Sequence, residues 1–178
     1  DGMRVVDACA GAGGKTLHLA ALMKNKGQII ALDIYNWKLA ELKRRAKRAG
    51  AHNIETRVIE DNKVIKRLHG KADRVLIDAP CSGLGVLKRN PDSKWKIDQD
   101  FIDRIKNEQQ QILQDYSKML KIGGKMIYAT CSVLPSENNE QVASFLKNNP
   151  EYTLIREENI MPSEGYDGFY MALIQRME

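Results

Sequence analysis

The chain has 178 residues, 43% of them hydrophobic and 29% charged, which fits one ordinary soluble globular domain. Its three cysteines, Cys9, Cys81 and Cys131, are odd in number and form no C-x-x-C pair, so neither a disulfide framework nor a metal site is expected. With no apolar run of membrane-spanning length and no signal-like start, the composition points to a cytoplasmic protein with reduced thiols, and a formal charge of +5 permits an RNA partner without requiring one.

The first strand is expected over residues 4–8. It runs into the turn Asp7-Ala8-Cys9-Ala10-Gly11-Ala12-Gly13-Gly14-Lys15-Thr16, and a helix follows over 16–24. Glycines at a strand-to-helix turn let the backbone approach a ligand, and the helix start offers free N–H groups. A Walker A loop fails here, because its first glycine falls at Cys9. An adenosine-cofactor loop on a doubly wound sheet is the alternative. That fold places a ribose-binding carboxylate at the end of the second strand, predicted over 28–33, and Asp33 closes that strand. A helix over 37–49 buries Leu39, Leu42, Ala46 and Ala49 and leaves Lys43, Arg44, Arg45, Lys47 and Arg48 on a solvated face, with Gly50 as its cap. Asp61 follows a third strand over 54–59; it is placed either to meet an adenine edge or to cap the helix over 62–69.

A fourth strand over 72–78 ends in Asp78-Ala79-Pro80-Cys81-Ser82-Gly83, and a fifth over 124–130 ends in Thr130-Cys131-Ser132. Ligands of open parallel sheets bind outside the carboxyl ends of the strands, so both thiols should face the cofactor cleft. Thiols there suit methylation of carbon 5 of cytosine, a poor nucleophile until a thiolate adds to C6. That chemistry also needs a group at N3, a role open to Asp78 if burial keeps it protonated. Lys15 is placed to contact Asp78, to lower a thiol pKa, or simply to brace its loop. Between these strands Lys88, Arg89, Lys94, Trp95 and Lys96 combine phosphate-neutralising charge with an aromatic for stacking, a loop suited to RNA. Further helices are expected over 100–120 and 136–148, and strands over 152–156 and 168–175. Strands alternating with helices predict an α/β fold: a Rossmann-like, mainly parallel seven-stranded sheet covered on both faces.

Segments 7–16, 78–83, Thr130-Cys131-Ser132 with Glu137, Asn138 and Glu140, and 165–169 together resemble RNA 5-methylcytosine methyltransferases of the Sun/Fmu kind, in the same order. The resemblance implies a class I S-adenosylmethionine-dependent fold. It assigns Cys131 as the residue that forms the covalent adduct and Cys81 as the one that resolves it. It puts Cys9, Ala10, Gly11, Ala12, Gly13, Gly14, Lys15, Asp33, Asp61 and Asp78 around the S-adenosyl-L-methionine. The stretch 88–95 resembles the branch whose bacterial members modify small-subunit ribosomal RNA, so 16S rRNA is the expected substrate. Ala12 stands where the family usually has proline. The opening Asp1-Gly2, so close to the first strand, is expected to mark a single catalytic domain, residues 1–178, separated from an upstream RNA-binding region; a monomer is favoured.

Overall fold

The computed structural model describes residues 2–95 and 97–178; Asp1 and Lys96 of the basic loop lie outside them. In chain order the elements are β1 (Arg4–Asp7), α1 (Gly14–Leu22), β2 (Gln28–Asp33), α2 (Asn36–Arg48), β3 (Ile54–Val58), α3 (Asn62–Lys66), β4 (Ala72–Asp78), α4 (Gln99–Tyr116), β5 (Leu120–Thr130), α5 (Asn139–Asn148), β6 (Tyr152–Ile160) and β7 (Phe169–Arg176). Among the described residues the seven strands form one sheet, ordered β3-β2-β1-β4-β5-β7-β6. Strands β1 to β5 pair in parallel, and β7 runs antiparallel between β5 and β6. The chain reverses its direction of winding between β1 and β4, the crevice at which such sheets bind ligands.

Alternation along the strands builds the core. Val75, Ile77, Met126, Tyr128, Ala172 and Ile174 point to one face and pack with Ile112 and Leu113 of α4 and Val142 and Phe145 of α5. Leu39, Leu42 and Ala46 of α2 recur at helical spacing and close on Ala31 from the other face. Ala20 and Met23 then join Val5 and Ile29 beside them.

Several elements depart from the sequence-based expectation: α4, expected to reach residue 120, ends at Tyr116, and α3, expected to reach 69, ends at Lys66. β5 begins at Leu120, because Ala72 pairs with Leu120 and an irregularity before Arg74 absorbs the Gly123-Gly124 turn. β6 extends through the polar run to Ile160, since hairpin pairing with β7 holds a backbone that carries no apolar signal of its own. α5 starts at Asn139, after a short 3-10 turn over Pro135–Glu137.

Candidate active site

The glycine loop after β1 is held by backbone geometry. Gly13 has φ of 86°, and a Cβ there would stand 2.5 Å from Leu42 Cγ, so both the left-handed conformation and the close helix contact require glycine. Gly11 N–H donates to Asp33 Oδ2 at 2.9 Å and Tyr35 N–H to Asp33 Oδ1 at 2.8 Å. Asp33, 7% exposed, thereby ties the loop to the end of β2. Arg45 departs from the solvated face expected of it: its guanidinium donates to Ala12 carbonyl at 2.7 Å and braces the same loop from α2. Asp7 lies beneath, accepting from Thr16 Oγ1 at 2.6 Å, and burial pushes its carboxyl up to about 6.

Above this loop opens a cavity of about 420 Å³. Cys9, Gly11, Asp33 and Asp78 line it. Sequence reasoning missed Ile34, Tyr35, Ile59 and the Ile105, Glu108, Ile112 and Tyr116 stripe of α4. The stripe's helical spacing was visible, but it reads as ordinary core packing. Ala10, Ala12, Gly13, Gly14 and Lys15 shape or flank the loop without lining the cavity. Asp61 is also outside the lining; it caps α3, accepting from Lys63 N–H at 2.8 Å. A second cavity of about 390 Å³, between α4 and α5, is walled by amides such as Gln110, Gln114 and Gln141 and has no thiol or ionisable group in its lining.

At the ends of β4 and β5 the two expected thiols meet. Cys81 Sγ and Cys131 Sγ are 3.3 Å apart, a thiol contact with both cysteines free. The hydrogen bond from Cys81 holds the Cys131 thiol down to about 7, with Lys15 helping, although partial burial and the Asp78 charge oppose it. Cys81 is driven the other way, because its proton is committed to Cys131 and its sulfur is more deeply buried. The two thiols titrate as a unit, with Cys131 the one pushed down and Cys81 the one pushed up. Cys9 stands apart, and burial raises its thiol well above the ordinary range. Lys15 Nζ reaches Asp78 Oδ2 at 2.5 Å and lies 5.7 Å from the centre of the Phe169 ring. Asp78, whose N3 role was conditional on burial, keeps 31% side-chain exposure and is paired with the Lys15 ammonium.

Below the thiols lies a buried polar network that the sequence did not reveal. Glu137 accepts from Ser82 N–H at 2.8 Å, Ser82 Oγ at 2.5 Å, Gln109 Nε2 at 3.1 Å and Ser132 Oγ. Tyr128 hydroxyl donates to Glu137 carbonyl at 2.8 Å, and Asn138 Nδ2 donates to Ser132 carbonyl at 3.0 Å. On the rim, Lys88, Arg89, Lys94 and Trp95 are exposed, Trp95 by 80%. Arg89 pairs with Asp167 at 2.8 Å, and Lys94 Nζ sits 4.8 Å from the Trp95 ring centre.

This geometry has close relatives. The family model for 16S rRNA methyltransferase RsmB/F matches residues 1–175. The chain belongs to that family. Probable ribosomal RNA small subunit methyltransferase B of Bacillus subtilis is 38% identical over 149 residues, 83% of this chain and 33% of that protein. Ribosomal RNA small subunit methyltransferase B of Yersinia enterocolitica is 37% identical over 187 residues, covering 99% of this chain and 43% of that one. The chain thus spans less than half the length of these relatives. The crystal structure of NSun6 from Pyrococcus horikoshii with SFG superposes with a TM-score of 0.89 at 27% identity, over 99% of this chain and 48% of that one. The Rossmann-like methyltransferase fold expected from the sequence is the fold present. No helix among the described residues is long and apolar enough to cross a membrane.

Proposed function

We propose that residues 1–178 form a catalytic methyltransferase domain that transfers a methyl group from S-adenosylmethionine to carbon 5 of a cytosine in RNA, with 16S rRNA as the favoured substrate. The observation that carries this reading is the 3.3 Å thiol pair beside a cavity closed by Asp33 and a glycine loop. SFG, carried by the NSun6 structure, is an analogue of S-adenosylmethionine, and the residues here fit such a group. Each Asp33 oxygen accepts one backbone N–H and keeps a further lone pair for a ribose hydroxyl. Ile34 and Ile59 offer the cavity apolar surface for an adenine ring. When bound, the cofactor supplies an electrophilic sulfonium methyl.

The chain's own groups do the rest. Cys131, the thiolate of the pair, adds to C6 of the cytosine, and the electron pair of the C5–C6 double bond becomes available at C5. Asp78 and Lys15, joined as an ion pair, face N3 and steady the proton or charge that develops there. After methylation the C5 proton passes to a base, Cys81 once deprotonated or water, its electron pair re-forms the C5–C6 double bond, and the S–C6 bond breaks with its electrons returning to Cys131 as thiolate. The base has to be unstacked to reach a thiol in a cleft, which favours a loop or opened junction in the RNA. Lys88, Arg89 and Lys94 would neutralise phosphates at the rim, with Trp95 exposed for stacking.

Two variants test this. Cys131→Ala should abolish methylation of 16S rRNA while leaving S-adenosylmethionine binding intact. Cys81→Ala should accumulate a covalent RNA–protein adduct on a denaturing gel. Turnover by Cys131→Ala overturns Cys131 as the nucleophile, and the absence of adduct from Cys81→Ala under turnover conditions overturns the resolving role of Cys81.

A further inference from the structure

We propose that Glu137 is a positioning residue that keeps the Cys81 and Cys131 thiols in register by gripping the residue after each. The inference rests on the thiol reading above and adds a group that never meets substrate. Glu137 is completely buried and does not line the cofactor cavity.

Its partners define what it does. Oε1 accepts from Ser82 N–H and Gln109 Nε2, and Oε2 accepts from the hydroxyls of Ser82 and Ser132. A carboxylate has about four lone-pair sites, and here each holds a donor. Nothing is left for proton transfer to a ligand, so the role is mechanical. The two gripped residues each follow a cysteine. Ser82 Oγ and Ser132 Oγ are 3.2 Å apart, and one residue back the sulfurs are 3.3 Å apart. The two Cys-Ser pairs therefore run side by side, with the carboxylate at one end and the thiol contact at the other.

The clamp is itself anchored. Tyr128 of β5 donates to the Glu137 carbonyl, and Thr130 donates to Asn138 Oδ1 at 2.5 Å. Gln109 of α4 also donates to Pro80 carbonyl at 2.9 Å, so the helix holds the Cys81 loop on both sides of the sulfur. This accounts for a serine after both cysteines, which the chemistry of the thiols does not require. Register matters because a thiol hydrogen bond is lost with a displacement of an ångström or so. Cys131 faces Cys81, Asp78 and Lys15; once the Cys81 contact is lost, partial burial and the Asp78 charge act on it with only a backbone hydrogen bond and Lys15 in opposition.

The test reads the thiols directly, without RNA. In the chain carrying Glu137→Gln, the pH profile of Cys131 alkylation by iodoacetamide, followed by peptide mass, should move its midpoint up by about one unit. Closure of the Cys81–Cys131 disulfide by diamide, in which the two thiols lose two hydrogens and the diazene gains them, should slow by about tenfold. Cofactor affinity should stay within about twofold, since the cavity is untouched. Ser82→Ala, which keeps the peptide N–H, should shift both readouts in the same direction by less, and it serves if Glu137→Gln does not fold. A folded variant that keeps wild-type alkylation and closure overturns the assignment. An inactive wild type with its low thiol midpoint intact, shifted in the variants, would instead sink the methylation reading and leave Glu137 as the clamp.

Discussion

The two halves of the cleft are built by different means. On the cofactor side, the loop after β1 is fixed by backbone conformation: a left-handed Gly13, and peptide N–H groups of Gly11 and Tyr35 directed at Asp33. On the thiol side, the loops after β4 and β5 are fixed by side chains from four separated segments, converging through Ser82, Gln109, Ser132 and Glu137. The first kind of construction draws on the stretch from the loop to α2, with Asp33 and Arg45 reaching back to it. The second depends on distant parts of the chain arriving together. A base must be able to enter and leave next to the thiols, so a rigid support beneath the sulfurs keeps their spacing while the rim stays open.

The thiol side has one backbone lock of its own, at Gly85. Its N–H donates to Cys131 carbonyl at 2.9 Å, and Gly168 N–H donates to its carbonyl at 2.7 Å, joining three loops around the thiols. A Cβ at Gly85 would stand 2.2 Å from Gly168 O and 2.7 Å from Cys131 O, both backbone atoms that cannot swing away. Gly85→Ala should therefore cost about 3 kcal/mol of stability and most of the methylation rate, with cofactor affinity retained in whatever folds. An unchanged melting temperature would show that the three loops are not locked together. On the other side, Asp33→Ala leaves the Gly11 and Tyr35 N–H groups without their acceptor and removes the ribose contact. Calorimetry should record a loss of about 2 kcal/mol in S-adenosylmethionine binding, roughly thirtyfold in Kd, with the Cys131 alkylation profile unmoved. A variant that lost both properties together would break the distinction between the halves.

The same division explains what was legible in the sequence. The seven strands were visible because apolar β-branched runs alternate with helical ones, and Asp33 because a carboxylate at that strand end follows from the fold. Cys81 and Cys131 were visible as strand-end residues, but not their contact, which depends on β4 and β5 being neighbours in register. Glu137 stood in the sequence as a motif position with no role attached. Its partners lie 55, 28 and 5 residues away, and no local periodicity links them. Arg45 was misplaced for the same reason: a cation on a basic helix reads as solvated until its loop partner, 33 residues back, is known. The extended β6 escaped because its outer half has polar side chains and is held by pairing with β7 and a hydrogen bond from Tyr170 to Glu157.

Asp7 lies where the two halves meet, at the end of β1, within reach of the charges of both Asp78 and Lys15. Burial raises its carboxyl from 3.8 to about 6, against the hydrogen bond from Thr16, and its Oδ1 has no partner. The folded chain thus holds this proton more tightly than the unfolded one. Its contribution to stability is complete below about pH 4 and is lost as pH rises through about 6, so ionised Asp7 weakens the fold at neutral pH. Asp7→Asn keeps an oxygen for the Thr16 hydroxyl and cannot ionise. It should raise the melting temperature at pH 8, by an amount equivalent to about 1 kcal/mol, and change it little at pH 5. The gain is smaller than the shift alone implies, because the new amide N–H takes the place of an oxygen that had no partner and finds none itself. Equal effects at both pH values would mean that Asp7 carries no buried charge, and that the cofactor and thiol halves are not coupled electrostatically through β1.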